Sequence, residues 1–265
     1  MPKPALSSKL DDDRNLNGGQ RNEMRMISRA AEVLRALCEQ PTGMSLGQIA
    51  KATGLARSTV QRLVKALETE GFVQANADGV GVRLGIELAR LGAKVHSDVR
   101  GLFRPHVLAL QDKVQATIDV TVLMEAGAVV IEQIASSATL RVVSYLGQPL
   151  PIHCTASGKA HLMQLDAERA VRALARPLKR FTPATITNPR DLADLADTAN
   201  ACEFAYDREE YAIGVFAIAL PIRGIATGNY AVAVSMPEQQ FNGRIPFLRR
   251  ELRRCQAAIE SAASF

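Results

Sequence analysis

The stretch SLGQIAKATGLARSTVQRLVKALETEGFV, Ser45–Val73, decides the fold of the N-terminal part of this chain. Ser45-Leu46-Gly47-Gln48 has the form of a capping box: Ser45 accepts from the Gln48 amide, and the Gln48 side chain reaches back to the first residue. A short helix carrying Leu46, Ile49 and Ala50 follows. Thr53-Gly54-Leu55 ends it, and Gly54 is free to take the positive φ that a tight turn between helices requires. In the next helix Val60, Leu63, Val64 and Leu67 recur at i, i+3, i+4 and i+7 and face inward. Arg57, Ser58, Thr59, Gln61, Arg62 and Lys65 are left largely on the opposite side, which is therefore basic and rich in hydrogen-bonding groups.

Working outward, Ile27, Ala30, Ala31, Leu34 and Leu37 keep helical spacing up to the turn signal Pro41-Thr42-Gly43. On the other side, Phe72-Val73-Gln74 and Val80-Gly81-Val82-Arg83-Leu84 flank Asn76-Ala77-Asp78-Gly79, the pattern of a β-hairpin. Three helices and a hairpin predict a winged helix-turn-helix. Such a fold reads duplex DNA because its last helix fits the major groove and presents donors and acceptors to base edges, while flanking groups hold phosphates. Arg62 has the fork for a guanine and Gln61 the amide for an adenine. Ser45, Arg57, Ser58, Thr59 and Lys65 suit phosphates or neighbouring bases. The alternative, a plain solvated helical hairpin, does not account for capping box, turn glycine, basic face and hairpin occurring in this order.

Charge points the same way. The chain has 265 residues and a formal net charge of +5. Residues 21–97 hold eleven basic against seven acidic side chains, residues 98–265 eighteen against seventeen, and residues 1–20 three of each. The positive excess thus sits where a polyanion would dock. Residues 1–20, with two prolines, three consecutive Asp and Asn-Gly-Gly, have too little apolar surface to bury and are expected to be a disordered tail. The winged helix is expected over residues 21–84 and a linker helix over 85–97. That linker, with Ile86, Leu88, Ala89, Leu91 and Val95 apolar and no obvious packing partner nearby, is expected to join subunits.

Residues 98–265 read as an α+β domain with a mostly antiparallel sheet. Helical periodicity covers Leu102–Val114 and segments near 157–164, 167–176, 191–201 and 247–263. Strand-like runs cover 118–124, 128–134, 140–146, 203–206, 215–222 and 230–236. Cys38, Cys154, Cys202 and Cys255 form no C-x-x-C pair and are expected as reduced thiols. No apolar run is long enough for a membrane span and no leader is evident, so a cytoplasmic protein is expected.

Two motifs in this half invite other chemistry. Gly158-Lys159 is not a phosphate-binding loop, because His153 stands where that motif needs its first glycine and Ala160 where it needs Ser or Thr. Thr155-Ala156-Ser157-Gly158 instead caps a helix whose free amides would suit an anion. Cys154 with His153 or His161 as base and Asp207 as orienter would make a cysteine-dependent hydrolase, but adjacency in sequence does not bring side chains together. Cys154 as a small buried residue is the simpler reading. His153, Cys154 and His161 do not complete a tetrahedral metal site. No metal, no cofactor and no enzymatic activity are expected.

Five segments in order, SLGQIAKATGLARSTVQRLVKALETEGFV, RLGIELARLG, PLPIHCTASGKAHL, PATIT and YDREEYAIGVFAIALPIRG, give the stretch Ile27–Met236 a resemblance to the IclR-type transcriptional regulators. The resemblance implies an N-terminal winged helix and a C-terminal, GAF-like effector-binding domain, a homodimer or homotetramer, and double-stranded operator DNA as partner. It places the effector pocket at Leu150, Ala156, Ser157, Asp207, Ala217, Ala233 and Ser235. Ala217 stands where many members carry cysteine and Ala233 where many carry serine, so a more apolar pocket is expected. A small organic effector, carboxylic or aromatic and hydroxylated, with its carboxylate at the Ala156-Ser157-Gly158 turn, is the expectation. A ligand-independent architectural DNA-binding protein is the remaining alternative.

Overall fold

A computed structural model describes residues 18–40, 42–76, 81–92, 94, 97–175, 177–192 and 203–263. Internal contacts divide the chain into two compact units, residues 1–95 and 96–265.

In the first unit α1 (Gly18–Cys38), α2 (Leu46–Thr53) and α3 (Arg57–Thr69) pack around Val33, Leu37, Ile49, Val60, Leu63, Val64 and Leu67. The capping box forms as expected: Ser45 Oγ accepts from the Gln48 amide at 3.3 Å, and Gln48 Oε1 accepts from the Ser45 amide at 2.7 Å. Gly54 ends α2 in the left-handed region with φ +69°, where a Cβ would be strained. Helix α1 begins at Gly18, inside the stretch expected as a tail. Once the amphipathic run nucleates a helix, each further residue adds one hydrogen bond for one residue fixed, so the helix extends upstream of the sequence's apolar signal. The hairpin pairs β1 (Val73–Ala75) with β2 (Val82–Leu84) antiparallel, while its expected tip, Ala77–Val80, lies outside the described residues. Met44 exchanges two backbone hydrogen bonds with Val82, 2.9 and 2.8 Å, and so adds a bridge to the hairpin. After Gly85 comes α4 (Ile86–Gly92), with Ile86 and Leu91 exposed. Val95 lies outside the described residues.

The second unit is α+β. It runs α5 (Ser97–Val114), β3 (Thr117–Met124), β4 (Gly127–Ile134), β5 (Pro149–Leu150), α6 (Ala156–Leu162), α7 (Ala167–Leu174), β6 (Ala205–Arg208), β7 (Val215–Ile222), β8 (Tyr230–Pro237), α8 (Glu238–Phe241) and α9 (Ile245–Ala263). The sheet has the order β5-β4-β3-β8-β7-β6, with every neighbouring pair antiparallel. Alternation along the strands separates two faces. Ile118, Val120, Val122, Ile218, Val232 and Val234 pack with Phe103 and Val107 of α5 and Leu248 and Leu252 of α9. Each such fully buried side chain stabilises the fold by about 1.5–3 kcal/mol. Glu132 of β4, itself buried, accepts from Arg100 and Arg104 of α5 at 3.1 and 2.8 Å.

The opposite face is built of small residues. Ala205, Ala217, Ala219, Ala231 and Ala233 pack with Ala156, Ala160 and Met163 of and just beyond α6. A Cβ on Gly158 would lie 2.5 Å from both Ile152 Cα and Pro151 O, so only glycine lets α6 come this near the chain leading into it.

Two readings are corrected. Residues 140–146 are not a strand. The ladder position beside β4 is taken instead by Gln148–Leu150: Val130 donates to Gln148 O at 3.0 Å and Leu150 pairs with Ala128. Leu140, Val143, Tyr145 and Leu146 consequently stay exposed. The helix expected over 191–201 is helical at 189–192, and residues 193–202, Cys202 included, lie outside the described residues.

Candidate nucleic-acid interface and effector pocket

Burying Val60, Leu63, Val64 and Leu67 turns the other side of α3 outward. Arg57, Ser58, Gln61, Arg62 and Lys65 are exposed, Thr59 is half-buried, and Ser45, at the start of α2, is half-buried. All seven positions expected for DNA therefore fall in one unit, six of them on one helix. Ala56 caps α3 without a side-chain hydrogen bond, so α3 starts with amides that no side chain at its N-cap satisfies. Ser45 differs, because its oxygen already serves the Gln48 amide. Its hydroxyl proton is the part of the group that this cap leaves as a donor.

In the second unit the sheet register explains a hollow. Thr117, Ser235, Ala217 and Asp207 lie side by side across β3, β8, β7 and β6, and Asp119, Ala233, Ala219 and Ala205 form a parallel row. Ala217 and Ala233 are too short to fill the space between the sheet and the start of α6. A cavity of about 70 Å³ remains there. It gathers all seven positions expected for an effector: Leu150, Ala156, Ser157, Asp207, Ala217, Ala233 and Ser235.

The cavity also contains residues that the sequence reading missed, chiefly Asp119, Ser144, Val142, Val143, Thr155 and Tyr211. Asp119 was detectable as an acid inside the otherwise apolar run Thr117–Met124. Its neighbours Val142–Ser144 were not, because the stretch 140–146 reads as a strand and arrives here as an irregular crossing segment.

Two carboxyl groups on the same face of the sheet flank this cavity, Asp119 from β3 and Asp207 from β6. Asp207 Oδ1 accepts from the Glu210 amide at 2.8 Å and the Tyr211 amide at 3.4 Å. Burial nevertheless raises its pKa to about 7, with the nearby Glu210 charge adding to the rise and Lys159 opposing it. Asp119 Oδ1 accepts from Ser144 Oγ at 2.6 Å and Gln133 Nε2 at 3.0 Å. Burial raises its pKa as well, against those two hydrogen bonds. Lys159, from α6, does not neutralise the cavity, because its ammonium is held by both oxygens of Glu210 at 2.6 and 2.7 Å.

The groups that would make a cysteine hydrolase are committed elsewhere. Burial, aided by Asp207 and Glu210, pushes the Cys154 thiol up to about 12, which leaves it protonated at neutral pH. His161 pairs with Thr121 Oγ1 at 2.9 Å, and burial lowers its pKa to about 3. His153 Nε2 lies 2.9 Å from Lys179 O. Among the described residues no three His, Cys, Asp or Glu are grouped to hold a metal ion, and no helix is long and apolar enough to cross a membrane.

Thr155 caps α6 as expected, accepting from the Gly158 amide at 3.0 Å. The Gly158 amide is therefore already occupied by Thr155.

Comparison with known proteins agrees over both units. Residues 26–77 match the IclR helix-turn-helix domain, and residues 92–261 match the C-terminal domain of the bacterial transcriptional regulator IclR. The chain is 38% identical over 221 residues to an HTH-type transcriptional regulator of Mycobacterium tuberculosis, covering 83% of this chain and 85% of that one. It is 31% identical over 246 residues to the HTH-type transcriptional regulator TtgV of Pseudomonas putida, covering 93% and 94%. Among solved structures, an IclR homolog from Microbacterium hydrocarbonoxydans complexed with 4-hydroxybenzoate shares the fold with a TM-score of 0.80 at 24% identity, over 90% of this chain and 99% of that one. With a helix-turn-helix that presents a basic, hydrogen-bonding face and a C-terminal α+β unit that matches its own family over 170 residues, this chain belongs to the IclR family of DNA-binding transcriptional regulators.

Proposed function

We propose that this regulator binds a partly palindromic operator as a homodimer or homotetramer in the cytoplasm, and that a small organic effector in the cavity of the second unit alters its operator affinity. Residues 21–84 are the DNA-binding domain, 85–97 the linker and 98–265 the effector domain. Helix α3 enters the major groove. Arg62 and Gln61 read base edges, and Ser45, Arg57, Ser58, Thr59 and Lys65 hold phosphates or adjacent bases. The outward set on α3 carries the DNA half of this reading. For the effector half, the support is the coincidence of seven family-matched positions around one cavity. The 4-hydroxybenzoate complex of the Microbacterium homolog adds a precedent for a small organic ligand on this fold.

A ligand changes operator affinity only as far as it prefers one arrangement of the protein over another. The test is therefore two-part. Selection from a random duplex pool with the full chain yields the operator, and anisotropy titrations on it are repeated across a library of small metabolites. At least one compound is expected to shift the operator Kd fivefold or more, and to lose that effect when Ala217→Leu fills the cavity. Selection that enriches no sequence removes the DNA half. An enriched operator with no responsive compound, or a response that Ala217→Leu leaves intact, removes the effector half.

A further inference from the structure

A second hollow opens on the C-terminal unit, away from the effector cavity. It is a groove of about 780 Å³, against about 70 Å³ for that cavity, and falls within the roughly 300–1,000 Å³ typical of small-molecule sites. No described residue lines both. The chain entering α6 runs between them: Pro151, Ile152 and His153 line the groove, and Thr155, Ala156 and Ser157 line the cavity. The floor of the groove is apolar. Leu123 at the end of β3 contributes to it, as do Ile152, Leu165 and Leu178, which pack with the buried Leu162 and Leu174. Phe181 adds a half-buried ring.

The rim is cationic. Asp166 caps α7, accepting from the Arg169 amide at 2.8 Å, and so starts a helix on which Arg169, Arg172 and Ala173 share the face that lines the groove. Lys179 lines it too. Its carbonyl oxygen is 2.9 Å from His153 Nε2, and its ammonium lies 4.9 Å from the centre of the Phe181 ring. Against these three cations the lining holds one acid, Glu125, in the turn after β3. Asp166 and Glu168 lie outside the lining and pair with Arg169 at 3.4 Å and Arg172 at 3.2 Å. All four of those side chains are more than 60% exposed, so both pairs are screened, weak and open to exchange. A guanidinium also has five N–H donors, more than one carboxylate occupies.

We propose that this groove is a second small-molecule site, which takes an organic dianion, a phosphate monoester or dicarboxylate, on an apolar body. Three cations against one acid leave an excess of two positive charges in the lining, which a dianion matches and a monoanion only half matches. The two arginine forks suit carboxylate or phosphate oxygens, and the lysine adds a compact charge beside them. The body of the ligand then lies on Leu123, Ile152, Leu165, Leu178 and Phe181, and both surfaces shed water. Charge and apolar contact are both needed, so a bare inorganic anion and an apolar monoanion each satisfy half of the site.

Calorimetric titration of the full chain at pH 8 and low salt tests this with phenyl phosphate, phthalate, benzoate and inorganic phosphate. Each titration is repeated on Ala217→Leu, which fills the effector cavity; should that variant fail to fold by circular dichroism, Ala233→Val takes its place. In both proteins phenyl phosphate, phthalate or both should bind at least tenfold more tightly than benzoate, which has one charge, and than inorganic phosphate, which has no apolar body. A gain confined to phenyl phosphate assigns a phosphate ester, and one confined to phthalate a dicarboxylate. Arg169→Gln with Arg172→Gln, at two exposed positions, should remove at least tenfold of that affinity. No gap over benzoate, or a gap that the double variant leaves intact, overturns the dianion site, and inorganic phosphate binding as tightly as phenyl phosphate overturns the organic ligand. Dianion binding that the filled cavity abolishes belongs to the effector site and overturns the second one. If no dianion binds and the double variant changes the mass seen by light scattering, the groove is a contact between copies of this chain instead.

Discussion

Ser144 Oγ donates to Asp119 Oδ1 at 2.6 Å, and through it the irregular segment between β4 and β5 is tied to the buried middle of β3. Gln133 Nε2 contacts both members of the pair, and Thr117 Oγ1 donates to Val142 O, two residues before Ser144, at 2.6 Å. The segment thus carries two cavity walls, Val142 and Val143, on hydrogen bonds to strand residues rather than on a ladder of its own. Leaving Asp119 with one donor fewer costs about 1.5–3 kcal/mol, the range for hydrogen bonds to charged groups, reduced to the extent that the carboxyl takes up a proton. Ser144→Ala is therefore expected to lower the melting temperature of the second unit by about 3–6 °C, measured by calorimetry. An unchanged melting temperature would show that the pair is dispensable.

The raised pKa of Asp207 predicts a pH dependence with a definite sign. A carboxyl at about 7 in the folded protein and near 3.8 when unfolded binds more protons folded than unfolded between those values. The folded state is then favoured at low pH, and stability falls as pH rises from about 4 to about 7, at up to about 1.4 kcal/mol per pH unit, levelling off above. Asp119, also raised, adds to the slope in the same direction. Denaturant titrations of ligand-free protein from pH 5 to 8 measure this. Asp207→Asn keeps an oxygen for the Glu210 and Tyr211 amides and should flatten the Asp207 share of the slope; a slope that the variant leaves unchanged would assign the protons elsewhere.

What the sequence made legible follows from whether a residue's role is local. The capping box at Ser45, the turn at Gly54 and the inward stripe Val60–Leu67 are set by neighbours within one or two turns of helix, and all three form as read. Asp119 and the 140–146 segment are different. Whether a β-branched run becomes a strand depends on which chain reaches the edge of β4 first, and Gln148–Leu150 occupies that edge. The cavity is non-local for the same reason: Asp119, Ser144 and Asp207 meet through a sheet order, β4-β3-β8-β7-β6, that no spacing in the chain encodes. The family resemblance supplied Asp207 and the small residues beside it, but it did not supply the second carboxyl.

On α3, base readers and phosphate holders should separate under salt. Arg62→Ala removes a bidentate fork and is expected to weaken binding to the selected operator by about tenfold or more, about 1–3 kcal/mol, with little change on a scrambled duplex. Lys65→Ala should weaken both duplexes alike and lower the slope of log Kd against log salt by about one. Anisotropy at several salt concentrations distinguishes the two patterns. If Arg62→Ala behaves as Lys65→Ala does, Arg62 is a phosphate contact and base reading lies with Gln61 or its neighbours.

Oligomerisation offers the last expectation, and α4 is where it is testable. Ile86 is 77% exposed and Leu91 42% exposed on a helix with no buried residue. Large apolar side chains left outside on a seven-residue helix are a contact waiting for a partner surface, since one winged helix alone buries too little for a specific, tight complex with DNA. Two-fold association would place two α3 helices on symmetric half-sites, and the coupling of the two binding events multiplies their selectivity. Light scattering of the full chain at micromolar concentration should give a dimer or tetramer. Ile86→Asp with Leu91→Asp, which places two charges in that contact without touching either core, should shift the assembly toward smaller species and weaken operator binding at least tenfold. A wild-type chain that stays monomeric alone and on operator DNA would remove the dimer from the scheme, and a charged double variant that assembles and binds as the parent does would move the subunit contact away from α4.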